Sequence, residues 1–314
     1  MIIIFGSINV DLVARVTRLP HAGETLKARS FLMAPGGKGA NQALGAARAG
    51  AEVHLYGCIG RDAMGDFALR LLRSDGVVLA GVRRVDPSTG LALIHVEDAG
   101  ENCITIVGGA NTEPCAKDVP DSLLGAGSTV VMQLEVPLGE VAALAARAHR
   151  RGARVVLNAA PAIRLPARLL DVVDVLVVNE GEARTLVREL DDDSGTAGEA
   201  SKPTDARSTC LRLASSERAA IVTLGEHGAV HALRGEVHLQ SAPRVEVVDT
   251  VGAGDAFTAA LAAALDRGTD LSSAVRDGVA AGALACTRPG AQESMPSRDD
   301  ILRMVSTLAK DDPH

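Results

Sequence analysis

Asp249-Thr250-Val251-Gly252-Ala253-Gly254-Asp255 lies between a β-rich run at 245–248 and a helical stretch at 256–265. A strand that passes through a glycine turn into a helix is the building unit of an α/β sheet. Gly252 and Gly254 let the backbone turn tightly and leave successive N–H groups unpaired at a helix N-terminus. Such a terminus holds anionic oxygens, by its free donors and its dipole together. Asp255, in the first turn, can serve as a plain helix cap. Beside an anion site it can also take the proton of an attacking hydroxyl. A dinucleotide fingerprint does not fit, because position 257 is Phe where a third glycine is needed and no ribose-binding acid follows a next strand.

Working outward, short β-branched runs at 2–5, 53–56, 129–134, 154–158, 175–178 and 220–224 read as buried strands. Helical stretches at 41–49, 63–74, 138–150 and 182–190 alternate with them, and after Gly254 the chain turns mainly helical at 256–266, 271–286 and 298–308. Near-continuous apolar strands alternating with helices predict an α/β fold, a mostly parallel sheet covered on both faces. Two regions, about 12–34 and 91–108, carry strand-like segments without helices between them. They read as a small β-sheet lid inserted in the α/β body of a single 1–314 domain, the plainer alternative being two surface hairpins. The segment 191–209, rich in Asp, Ser, Gly and Thr, reads as a solvated loop.

Composition limits the function. The 314 residues are 47% hydrophobic but only 2% aromatic, with no Trp and one Tyr, so the core is aliphatic. Few stacking platforms and a net charge of -7 argue against a nucleic-acid partner. Five scattered cysteines without a CxxC pair predict reduced thiols and a cytoplasmic setting. The N-terminus lacks a signal-peptide pattern, and no apolar stretch is long enough for a membrane span. The eight histidines show no paired-ligand spacing.

A second glycine cluster, Pro35-Gly36-Gly37-Lys38-Gly39-Ala40-Asn41, opens another helix. It is not a Walker A loop, since Lys38 is followed by Gly39 rather than Ser or Thr. A bland turn needs one glycine, so three point to backbone held close to a small ligand. Lys38 alone would be an ordinary solvated lysine. Asn9 and Asp11 follow the first strand, at the sheet edge where α/β proteins bind ligands, and suit sugar hydroxyls. Glu135 ends a buried strand, where an acid must be paired or bound to ligand.

Residues 36–41 and 249–255 resemble the two signatures of the ribokinase-like (PfkB-type) carbohydrate kinases. The similarity runs on through Gly-Ser-Ile-Asn-Val-Asp at 6–11, Pro-His-Ala-Gly-Glu-Thr at 20–25 and Met-Gln-Leu-Glu at 132–135. Further pieces are Asn-Ala-Ala-Pro-Ala at 158–162, Asn-Glu-Gly-Glu-Ala at 179–183, Thr-Leu-Gly at 223–225 and Thr-Arg-Pro-Gly-Ala-Gln at 287–292. Their joint order is specific and spans almost the whole chain.

The resemblance implies phosphorylation of a sugar by ATP, D-ribose at O5 by the spelling of the N-terminal segment and of residues 36–42. Fructose, deoxyribose or a nucleoside is the alternative acceptor within the family. A sugar sensor on an inactive kinase scaffold is the alternative outside it. By the same resemblance Asn9, Asp11, Gly37, Lys38, Gly39, Ala40, Asn41 and Glu135 hold the sugar, and Asp255 is the base. Backbone donors of Gly252, Ala253, Gly254 and Asp255 form the anion hole. Asn179, Thr223, Leu224, Gly225, Glu226, His227, Gly228, Gly254 and Val279 face ATP. Val279 departs from the polar residue usual there, which leaves base selectivity open. Asn179 and Glu182 organise Mg²⁺ through water. K⁺ is held by Asp249, Val251, Ala285, Arg288, Gly290 and Ser294. A homodimer paired through the lid completes the expectation.

Overall fold

The computed structural model describes residues 1–99, 101–194 and 205–308. Its strands are β1 (Ile2–Phe5), β2 (Asn9–Val16), β3 (Ser30–Gly36), β4 (Val53–Gly60), β5 (Val78–Val85), β6 (Gly90–Glu97), β7 (Asn102–Val107), β8 (Thr129–Met132), β9 (Arg154–Asn158), β10 (Val175–Asn179), β11 (Ala219–Thr223), β12 (Ala229–Leu233) and β13 (Glu236–Gln240). The helices are α1 (Lys38–Arg48), α2 (Ala63–Ala68), α3 (Arg70–Ser74), α4 (Leu138–Arg150), α5 (Ala167–Leu170), α6 (Glu180–Ser194), α7 (Ala206–Leu213), α8 (Ala253–Asp266), α9 (Leu271–Ala285) and α10 (Arg298–Val305).

Nine strands form one sheet in the order β13-β12-β11-β10-β9-β8-β1-β4-β5, parallel except where β12 pairs with β11 and β13. Successive side chains of a strand point to opposite faces, and the apolar runs fill both. Ile2, Ile4, Val131, Val156, Val177 and Ile221 pack on one face with α1, α8 and α9. Ile3, Phe5, Val130, Met132, Leu157 and Val178 pack on the other with α4, α6 and α7. The α/β expectation is met, and the core is aliphatic as composition requires.

A second sheet has the order β3-β2-β6-β7, with β2 and β6 parallel and the outer pairs antiparallel. The two β segments thus form the one small sheet expected, and the alternative of two separate surface hairpins fails. It begins at Asn9 and Gly90 rather than at 12 and 91, so Asn9 and Asp11 lie inside a strand of it. Phe31, Leu32, Ile104 and Ile106 are more than half exposed on this sheet.

Three readings change. The β-rich run 245–248 forms no strand, because it lies past the sheet's antiparallel edge, and Val247 and Val248 are 60% and 59% exposed. The Val248 N–H goes instead to the Cys286 carbonyl, 2.8 Å away. The antiparallel β12–β13 edge and strand β5 extend the sheet beyond the strands expected, since their alternation is weak and half-exposed. Of the expected loop at 191–209, the first four residues end α6. Asp205 caps α7 through the Ser208 N–H at 2.8 Å, and Thr209, Cys210 and Leu213 are buried behind it. Residues 195–204 lie outside the described residues.

Candidate active site

The carboxyl ends of the central parallel strands open into a cleft lined by Lys38, Asn158, Asn179, Glu182, Thr223, Gly252, Gly254 and Asp255. This is where open α/β sheets bind ligands. Three helices, α1, α6 and α8, begin there.

Gly252 precedes α8 in the left-handed region, φ 78°, and a Cβ on it would stand 2.9 Å from the Ala291 Cα. Only glycine fits that joint. The Ala253 N–H turns back to the Thr250 carbonyl at 3.3 Å, while those of Gly252, Gly254 and Asp255 meet no acceptor among the described residues. Of the donors expected at 252–255, Ala253 is the one already engaged. Gly254 is helical and exposed, and a Cβ on it would meet nothing within 4 Å. Its role is to leave space in the cleft, not to turn the chain. Gly254→Ala should therefore keep or slightly raise Tm, since alanine favours a helix by about 1 kcal/mol over glycine. Its kcat should fall by roughly tenfold or more as the methyl crowds the anion position. Thermal melts and steady-state rates on the same preparation check both halves.

Asp255 is 6% exposed. Its Oδ2 accepts from Asn41 Nδ2 and its Oδ1 from Gln42 Nε2, both at 2.9 Å. The carboxylate is therefore spent on α1, not on the N–H groups of α8, and the capping alternative fails. Lys38 lies across the cleft; Asp255 first, and then Glu135 and Glu182, raise its pKa against the opposing effect of burial. The ammonium stays charged where an anion would arrive.

On the sugar side, Glu135 Oε2 accepts from Ser7 Oγ at 2.5 Å and from the Lys38 N–H at 3.1 Å. Asn9 is fixed by Asn111, whose Nδ2 donates to Asn9 Oδ1 at 2.5 Å and whose Oδ1 accepts the Ile8 N–H at 2.9 Å. Asn41 Oδ1 is buried without a partner among the described residues. Burial, with Glu135, Asp255 and Glu293 adding repulsion, pushes Asp11 up to about 7. The folded chain then holds a proton on Asp11 that the unfolded chain has released from about pH 4 upward. Stability accordingly falls as pH rises through that window and levels off above about 7. Asp11→Asn should stabilise the protein at pH 8 by on the order of 2 kcal/mol, with the gain gone near pH 4. Sugar affinity should fall at the same time. Melts across pH and a sugar titration test this trade.

On the nucleotide side, Asn179 and Glu182 bond reciprocally, the Asn179 N–H to Glu182 Oε2 at 2.8 Å and the Glu182 N–H to Asn179 Oδ1 at 2.9 Å. Desolvation raises the Glu182 carboxyl. Thr223 lines the cleft; Leu224, Gly225, Glu226, His227 and Gly228 form the turn after β11, closed by the Leu224 N–H on the Gly228 carbonyl at 2.8 Å. Val279 is not brought to the cleft. It is 5% exposed in the apolar core.

Asp249 joins two loops, its Oδ1 accepting the Val251 N–H at 3.0 Å and its Oδ2 the Gly290 N–H at 2.9 Å. That brings together the segment of Asp249 and Val251 and the segment of Ala285, Arg288, Gly290 and Ser294. In the same segment Gln292 is fully buried, and neither of its amide atoms has a hydrogen-bond partner among the described residues.

Sequence reading missed Ser7, Gln42, Asn111, Gln133 and Asn158. The signal was present for two of them. Gln133 and Asn158 are amides inside otherwise apolar strand runs, where burial without a partner is costly.

Residues 1–298 match the family model described as pfkB family carbohydrate kinase. Ribokinase of Schizosaccharomyces pombe is 36% identical over 306 residues, covering 94% of this chain and 95% of that protein. The chain belongs to the pfkB family of carbohydrate kinases. Among solved structures, ribokinase of Thermotoga maritima superposes with a TM-score of 0.86 at 31% identity, covering 98% of this chain and 99% of that one. Arabidopsis thaliana ribokinase complexed with ribose and ATP gives 0.81 at 32% identity, covering 97% and 98%. The cleft sets an open helix N-terminus beside a buried acid. Among the described residues no helix is long and apolar enough to cross a membrane.

Proposed function

We propose that the chain transfers the γ-phosphoryl group of ATP to O5 of D-ribose, giving ribose 5-phosphate and ADP. The observation that carries this reading is Asp255, buried at the open N-terminus of α8 and held by two amides of α1. Asp255 takes the proton of the 5-hydroxyl as that oxygen bonds to the γ-phosphorus and the bond to ADP breaks. The Gly254 and Asp255 N–H groups and the Lys38 ammonium bear the charge of the transferring group. Phosphoryl transfer is mostly this kind of positioning and charge stabilisation. Asn9, Asp11, Asn41 and Glu135 offer carboxylates and amides to the sugar hydroxyls, without an aromatic platform for a nucleobase. Relatives named ribokinase support the choice of sugar.

Asn179 and Glu182 suit Mg²⁺ held through water, an ion that neutralises phosphate charge when bound. The loops joined by Asp249 suit K⁺. The four-stranded sheet acts as a lid on one kinase domain; exposed Leu32, Ile104 and Ile106 lie on one face of it and Phe31 on the other, apolar side chains of the kind that a second copy would cover. The setting is the cytoplasm. Initial rates with D-ribose, 2-deoxyribose, fructose and adenosine, each in K⁺ and in Na⁺ at equal ionic strength, test the reading. D-ribose in K⁺ should give the highest kcat/KM. A nucleoside or fructose outpacing ribose overturns the acceptor, and equal rates in both salts overturn the cation.

A further inference from the structure

Four amide side chains run from the cleft into the sheet, and only Asn41 among them belongs to the sugar-binding set. Gln42 Nε2 donates to Asp255 Oδ1 at 2.9 Å and to Asn158 Oδ1 at 3.0 Å, so both of its protons are used. Gln42 Oε1 accepts from Gln133 Nε2 at 2.6 Å. Asn158 Nδ2 donates to the Val177 carbonyl at 3.2 Å. Gln42 and Gln133 are fully buried and Asn158 is 7% exposed.

The direction of this chain is not free. A backbone carbonyl only accepts, so Val177 obliges Asn158 to turn its amino group outward and its oxygen toward Gln42. Gln42 must then present its own amino group to Asn158, and with it to Asp255. At the other end Gln133 donates to the Gln42 oxygen, and its own Oε1 meets no partner among the described residues, so Gln133 follows the orientation of Gln42. An amide flipped the other way would put an oxygen against the carboxylate. The main chain of β10 thus fixes which way Gln42 faces, two side chains away from the base.

We propose that Gln42, oriented by Asn158, is a positioning residue that holds the Asp255 carboxylate in the plane required to take the acceptor's proton. The inference rests on the reading of Asp255 as the base. Gln42 touches neither sugar nor nucleotide, so its loss acts on the chemical step rather than on binding. A carboxylate with one fixed oxygen instead of two rotates, and misplacement of a reacting group costs rate steeply.

The test is a double-mutant cycle on kcat with Asp255→Asn as reference. Gln42→Met, similar in shape and without a donor, should lower kcat by about ten- to a hundredfold with the KM of sugar and ATP each within about twofold. Asn158→Leu leaves Asp255 in place and removes the acceptor that orients the Gln42 amino group. It should lower kcat by about tenfold or more alone and by less than about twofold in the Gln42→Met background. Melts of every variant separate rate from folding. If Gln42→Met does not fold, Asn158→Leu against Gln133→Met decides, since only the first removes the group that orients the amide toward Asp255 and only it should slow turnover strongly. Additive losses, or KM values rising as kcat falls, overturn the relay. An active Gln42→Met beside an inactive Asp255→Asn overturns the relay alone. If Asp255→Asn is itself active, the base assignment fails instead.

Discussion

Asp255→Asn should lower kcat by at least about a hundredfold while sugar and nucleotide still bind, the usual scale for losing a general base. The substitution nearly preserves shape and removes the charge. It also replaces one acceptor oxygen by a donor that faces Asn41 or Gln42, each of which already presents an amino group. Some stability will be lost for that reason, which makes the binding measurement essential. Calorimetric titration with the sugar and a non-hydrolysable nucleotide, beside turnover at saturation, gives both quantities. Turnover near the wild-type rate would leave Asp255 as a buried structural acid.

The second large effect is at Gly39. A Cβ there would stand 2.6 Å from Gly6 C, 2.6 Å from Ser7 N and 2.7 Å from Ser7 O, all backbone atoms. Backbone cannot step aside as a flexible side chain can. The start of α1 is also tied to that segment by the Ala40 N–H on the Ser7 carbonyl at 2.9 Å. Gly39→Val must therefore push α1 away from the loop after β1, at a cost of about 3 kcal/mol or more. Tm should fall by roughly 5–10 °C for a chain of this length. Activity should fall further than stability, because Lys38, Asn41 and Gln42 ride on the same helix. Gly254→Ala is the control for stability alone, a glycine of the same cleft with open space before it. A Gly39→Val protein that melts and turns over normally would show that this contact is not the anchor.

Several of these features could be read from residue order alone. The parallel sheet was legible because runs such as Val155-Val156-Leu157 are apolar on both faces, which only a doubly covered strand requires. The chemical end of the site was legible because glycines beside one acid, at the start of an apolar helix, put free N–H donors and a proton acceptor side by side. The run at 245–248 misled for a physical reason. β-branched residues favour a strand only where a neighbouring strand offers hydrogen bonds, and here the sheet has already ended. Residues 191–194 and 206–209 misled in the other direction, since polar composition hid the end of α6, whose buried side chains Ala183, Leu186 and Val187 come earlier, and the start of α7, which buries Thr209, Cys210 and Leu213. The amide chain behind Asp255 was out of reach in one respect. Gln42, Gln133 and Asn158 are far apart in sequence, and their mutual bonds depend on how α1 docks on the sheet.

The central claim is that ATP phosphorylates D-ribose at the hydroxyl whose proton Asp255 takes. The phosphorus NMR spectrum of the product, recorded with and without proton decoupling, tests it most directly. A single new phosphate monoester coupled to the two protons of C5, formed as ATP is converted to ADP and absent with Asp255→Asn, is the predicted result. A phosphate coupled to the one anomeric proton, or ATP consumed with no ribose phosphate formed, would contradict it.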